Sequence, residues 1–155
     1  MERGGDATYH GPGQVVLYPV MRLEGARRDL HKLLRDLEDT VIRAVAALGV
    51  QALREPGLTG VWAADRKIAS IGIAVRNWVS FHGVALNLTP DAGFSAIRAC
   101  GLDSGRMASL EELAGRSFTR HEVVDALLAA FGQVFDREGP RAAASLPRPP
   151  GVHSR

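Results

Sequence analysis

The pattern that most restricts the fold lies between Lys67 and Asn87. Ile71, Ile73 and Val75 alternate there with Gly72, Ala74 and Arg76, a period of two that belongs to a strand. Arg76-Asn77 then offers a hairpin turn into a second run, Trp78 to Asn87. Upstream the period changes. Leu30, Leu33, Leu34, Leu37, Val41, Val45 and Leu48 recur at three- and four-residue spacing, and Gly49 follows as a C-terminal cap, which predicts a long helix. Shorter runs, Gln14 to Val20, Val50 to Arg54 and Val61 to Ala64, complete a set of predicted strands, the first ended by Pro19. Two capping boxes open later helices: Ser109 with Glu112, and Thr119 with Glu122, where Phe118 and Val123 form a hydrophobic staple. Val124, Leu127, Leu128, Phe131 and Phe135 supply the expected buried stripe of the last helix. Strands in the middle with helices on both sides in sequence predict an α+β domain, a mixed or antiparallel sheet packed against helices.

Composition narrows the function classes. The 155 residues are 46% hydrophobic and 23% charged, enough apolar content for one core and too little net charge for a disordered chain. Nineteen basic side chains face seventeen acidic ones, a net charge of +2, and the basic residues are scattered rather than clustered into a phosphate-tracking groove. No nucleic-acid partner is expected. No apolar run approaches the ~18 residues of a membrane span, and Met1-Glu2-Arg3-Gly4-Gly5-Asp6 lacks the basic and apolar regions of a secretory signal, so the expected location is the cytoplasm. The single cysteine, Cys100, excludes an in-chain disulfide and any multi-cysteine metal site.

Several residues are candidates for chemistry. Cys100-Gly101 falls in a predicted loop, where the thiol is either a small buried hydrophobe or a nucleophile; as a nucleophile it needs a neighbouring positive charge or base, because a thiol of pKa ~8.5 is mostly protonated at neutral pH. Lys67 is the only lysine besides Lys32 and stands at the start of an apolar strand. It is either a solvated strand-edge residue or an amine whose proton affinity burial has lowered, a role that arginine could not fill. His82, on a strand with Ser80, Val84 and Leu86, reads equally as a satisfied core histidine or a site residue, and His10 either braces a strained turn or faces a ligand. No carboxylate or third histidine stands at ligand spacing from them, so no metal site is expected. Gly4, Gly5, Gly11 and Gly13 suit either turns or close backbone approach to a ligand, while Gly72 and Gly83, beside Ile71, Ile73 and Val84, suggest a narrow apolar slot.

Three stretches stand out together: Arg3-Gly4-Gly5-Asp6-Ala7-Thr8-Tyr9-His10-Gly11-Pro12-Gly13-Gln14; Gly60-Val61-Trp62 leading to Lys67-Ile68-Ala69-Ser70-Ile71-Gly72; and Ser80-Phe81-His82-Gly83-Val84-Ala85-Leu86-Asn87 leading to Cys100-Gly101-Leu102. In order and approximate spacing they resemble the octanoyltransferases of lipoate biosynthesis. The resemblance implies the catalytic fold of the biotin and lipoate protein ligases over residues 1–138; the Pro/Ala-rich run at 139–155 has no core pattern and is expected, from its composition, to be a disordered tail. It implies that Cys100 is the acyl-carrying nucleophile and Lys67 the catalytic lysine. Arg3, Gly4, Gly5, Asp6, Ala7, Thr8, Tyr9, His10, Ser70, Ile71, Gly72, His82, Gly83, Val84 and Ala85 are then expected to bind the substrate, with no cofactor and no metal. The implied donor is octanoyl-acyl carrier protein, and the implied acceptors are the lipoyl domains of 2-oxoacid dehydrogenase complexes or the glycine cleavage H protein. Burying the roughly six methylenes of an octanoyl chain at ~0.8 kcal/mol each provides about 5 kcal/mol before ordering costs.

Two departures from the family pattern follow. Ala99 stands where proline usually precedes the cysteine, and Met1 nearly opens on the Arg-Gly-Gly motif, where members usually carry a further N-terminal segment that flanks the pocket. The alternative function is accordingly a truncated, non-catalytic module that binds an acyl group or carrier protein. A third is a cysteine hydrolase using Cys100 and His82.

Overall fold

In the computed structural model, which describes residues 10–90 and 106–136, the long periodic segment forms helix α1, Leu30–Ala47. Asp29 caps it by accepting from the Lys32 backbone N–H at 3.0 Å, and Gly49, at φ +92, follows its end. Leu33, Leu37, Val41, Ala44 and Val45 are buried, while Leu30 lies exposed at the first turn. A 3-10 turn, Gly25–Arg27, leads into this helix.

The sheet is antiparallel throughout. Its strands are β1 (Gln14–Leu17), β2 (Val61–Ala63), β3 (Arg66–Arg76) and β4 (Val79–Asn87), in the order β1-β4-β3-β2. Two two-residue loops close the meander, with Ala64 and Asp65 at φ +47 and +59 and Asn77 and Trp78 at φ +51 and +60. Left-handed backbone at both central positions matches the right-handed twist of the flanking strands. The second loop is therefore Asn77-Trp78, one residue beyond the expected Arg76-Asn77, because Arg76 already pairs with Val79. Trp78 takes a position that glycine usually fills, and the Arg28 guanidinium lies 5.2 Å from its ring centroid.

Two predicted strands shorten. Val50 to Arg54 contributes one bridge, Leu53 to Trp62, with backbone bonds of 2.8 and 2.9 Å, because the chain turns immediately afterwards through Glu55-Pro56-Gly57. β1 ends at Leu17 rather than Val20. Pro19 lacks a donor, and pairing with β4 resumes only at Arg22 and Val79.

Helices α2 (Leu110–Ala114) and α3 (Arg120–Phe135) carry both expected capping boxes. Burial raises the proton affinity of Glu112, but the Ser109 backbone N–H and hydroxyl, helped by Arg66, outweigh it and hold the carboxyl below the usual range. Glu122 is lowered chiefly by the Thr119 backbone N–H. Phe118 and Val123 are both buried, as the staple requires. The buried stripe of α3 is turned from the expected one: Val123, Leu127, Ala130 and Phe135 are buried, whereas Val124, Leu128 and Phe131 are half-buried. Both rows are apolar, so periodicity alone left the rotation open. Helices α1 and α3 pack against each other and against one face of the sheet.

Candidate active site

Residues directly paired across an antiparallel ladder share a face. Leu86 pairs with Val15 and Ala69, and Val84 with Leu17 and Ile71; all six belong to the core or pack against it beneath the helices. Ala85 pairs with Val16 and Ser70, and Gly83 with Gly72, on the opposite face. Side chains are small along that part of the face. Ser70 is half-buried, Gly72 and Val16 are exposed, and a Cβ built on Gly72 would meet nothing within 4 Å.

Strict alternation from Ile71 back through Ala69 would send Lys67 into the helical core. A bulge prevents this. Val61 pairs with Ala69 but Trp62 pairs with Lys67, so β3 carries one extra residue, Ile68, and Lys67 is turned onto the face of Trp62, Ser70 and Gly72. Lys67 is 5% exposed, with Nζ 5.7 Å from the Trp62 ring centroid; Arg106 approaches the same ring at 4.9 Å. The Trp62 indole N–H is buried without a hydrogen-bond partner among the described residues.

A chain of amides links this lysine to the glycine-rich segment. His10 Nδ1–H donates to Gln14 Oε1 at 3.1 Å, Gln14 Nε2 to Asn87 Oδ1 at 3.0 Å, and Asn87 Nδ2 to the Ala108 carbonyl at 3.0 Å. The Ala108 N–H in turn donates to the Lys67 carbonyl at 3.0 Å. Arg120, the first residue of α3, fixes the same segment by donating to the carbonyls of Pro12 and Gln14 at 2.8 and 2.7 Å.

The structure thus gathers Lys67, Ser70, Gly72, Gly83 and Ala85 on one face and ties His10 to its border. The side chains of Ile71 and Val84 face the helices instead. The apolar slot expected between the strand glycines and Ile71, Ile73 and Val84 therefore does not form, because adjacency in a strand means opposite faces. Gly83 has its own reason. A Cβ there would lie 2.1 Å from the Leu17 carbonyl oxygen and 2.6 Å from Pro19, so glycine permits the end of β1 to cross β4. His82 is half-buried at φ +64, with ring centroids 4.9 Å from Phe81 and 6.3 Å from Tyr18. Ser80 beside it donates to the Pro19 carbonyl at 2.8 Å and accepts from the Met21 N–H at 3.0 Å. Cys100 and Arg3 to Tyr9 lie outside the described residues.

Sequence reasoning passed over Gln14, Asn87, Trp62, Arg106, Arg120 and Glu38. Gln14, Asn87 and Trp62 stood inside the quoted motifs, and their buried polar ends were the available signal. A small cavity lined by Met21, Leu23, Leu33 and Phe135 contains none of the expected site residues.

Residues 1–132 match the model of the lipoyl protein ligase A/B catalytic domain. The chain belongs to that family. Among curated relatives, an octanoyltransferase of Synechococcus sp. (strain JA-2-3B'a(2-13)) is 48% identical over 136 residues, 87% of this chain and 52% of the relative. An octanoyltransferase of Geobacter metallireducens is 44% identical over 148 residues, 95% of this chain and 70% of the relative. The chain therefore spans between 52% and 70% of the length of these two ligase-family relatives. The fold is also that of solved ligases. A bi-partite lipoate protein ligase of Thermoplasma acidophilum superposes with a TM-score of 0.64 at 20% identity, over 92% of this chain and 59% of that one. A biotin protein ligase of Aquifex aeolicus gives 0.66 at 15% identity, over 80% and 53%.

Proposed function

We propose that this family member is the catalytic part of an octanoyltransferase, with residues 1–138 as its catalytic domain and 139–155 as a tail. The observation that carries the reading is the bulge at Ile68, which turns a buried lysine away from the helical core onto the face that also holds Ser70, Gly72 and Ala85. In this reading Cys100 Sγ attacks the thioester carbonyl of octanoyl-acyl carrier protein. Lys67 accepts the thiol proton and returns it to the departing pantetheine thiol. In the second half the lysine amine of a lipoyl domain attacks the Cys100 thioester, Lys67 takes the amine proton, and the Cys100 thiol is restored. Backbone N–H groups near Cys100 and Gly72 stabilise the tetrahedral oxyanion. Arg3 to His10, Ser70, Gly72, His82, Gly83 and Ala85 frame the acyl chain.

The thioester is already activated, so this reaction needs no ATP, whereas a ligase must first adenylate a free acid. Among the described residues no helix is long and apolar enough to cross a membrane. Intact mass after incubation with octanoyl-acyl carrier protein tests the assignment. An octanoyl adduct that hydroxylamine removes, and that disappears in Cys100→Ser, is the expected result. Absence of the adduct from folded protein overturns the transferase reading, and an adduct formed only from octanoate with ATP assigns ligase chemistry instead.

A further inference from the structure

Glu38 is an acid on the inward side of α1, and it is fully buried. Its Oε2 accepts from Arg35 Nη1 at 2.7 Å and from Arg54 Nε at 3.0 Å, and its Oε1 accepts from the Gly60 backbone N–H at 3.1 Å. Arg54 reaches further, donating to Asp39 and, at 3.0 Å, to the Arg35 carbonyl. A leucine would fill the same volume without any ion to desolvate, so helix packing alone gives no reason for a carboxylate here.

The reason lies beyond Gly60. This residue has φ +129, and a Cβ built on it would lie 2.5 Å from Lys67 Cε, 2.7 Å from the Ala69 carbonyl oxygen and 3.2 Å from Lys67 Nζ. The Gly60 backbone therefore rests directly on the end of the lysine side chain, and the Trp62 ring also lies near Nζ, its centroid 5.7 Å away. The carboxylate holds the peptide that confines the amine. We infer that Glu38 is a positioning residue for Lys67, acting through its hydrogen bond to Gly60, with Arg54 and Arg35 holding the carboxylate in place.

The importance of this positioning for transfer rests on the role proposed for Lys67, but the positioning itself can be read without activity. The chain has two lysines, and the side chain of Lys32 is 57% exposed, which makes it an internal reference. Trace labelling of the full chain with acetic anhydride, followed by peptide mass spectrometry, gives the Lys67:Lys32 ratio. Glu38→Ala is expected to raise that ratio about tenfold, the scale of one lost buried hydrogen bond, and to slow octanoyl transfer in step. Glu38→Gln keeps an acceptor for the Gly60 N–H and is expected to stay within about twofold of wild type. Glu38→Met keeps the volume without the acceptor and replaces the alanine variant if that one does not fold. An unchanged ratio in folded Glu38→Ala or Glu38→Met overturns the inference, as does a glutamine variant displaced as far as alanine. If Lys67→Ala still transfers octanoyl while the labelling ratios behave as expected, the catalytic reading of Lys67 fails and the positioning stands.

Discussion

The two faces of the sheet are built from the same strands with different materials. Beneath α1 and α3 the ladder presents Val15, Ala69, Ile71, Val84 and Leu86, packed as a core. The other face presents Ser70, Gly72, Gly83 and Ala85, with the buried amine of Lys67 at one end. The first face is closed by close packing; on the second the space beside Gly72 is open, while the end of β1 lies over Gly83. One inserted residue, Ile68, decides to which face the lysine belongs.

The largest effect expected from this contrast is on rate. Lys67→Met should slow octanoyl transfer by about 10²–10⁴-fold, the range of a lost general acid–base group, with a much smaller change in the unfolding midpoint. Loss of folding together with activity would make the lysine part of the core and erase the distinction between the faces.

On the packed face Leu86→Ala should destabilise by about 2–5 kcal/mol in a urea titration. The two paired glycines provide a sharper test within one ladder. Gly83→Ala drives a methyl against the Leu17 carbonyl, which is backbone and cannot move aside, and should destabilise by about 1–3 kcal/mol. Gly72→Ala places its methyl in open space and should leave stability within about 0.5 kcal/mol of wild type while weakening acyl binding. Equal destabilisation by the two variants would contradict the open space beside Gly72.

The smallest effect concerns acid stability. Glu112 and Glu122 are held below the ordinary carboxylate range by their capping boxes. A group whose folded value is depressed contributes stability that is present above its unfolded value, near about 4.3, and is lost as pH falls through the folded value. The double variant Glu112→Gln, Glu122→Gln should therefore show a shallower loss of Tm below about pH 4 than wild type. An identical acid limb would mean that neither box contributes to it.

What the sequence disclosed was local. The capping boxes, the α1 stripe and the β3–β4 hairpin depend on residues a few positions apart, and each formed with at most small shifts. The bulge was hidden because the period of two from Ile71 to Val75 says nothing about an extra residue at Ile68. The amide chain from His10 through Gln14 to Asn87 spans positions 73 residues apart at its central bond, beyond the reach of any periodicity. Glu38 was passed over because a charge on a helix usually marks the solvated side, and only tertiary structure supplies its partners.

The order β1-β4-β3-β2 also sets a sequence of events in folding. Strands β2, β3 and β4 join through two-residue loops and can pair with little loss of chain entropy, whereas β1 must find β4 across most of the domain. Once there, it is four residues long and stops at a proline. Strand β1 is thus expected to pair later than the β3–β4 hairpin. Its amides should exchange with solvent ahead of those of the β3–β4 hairpin.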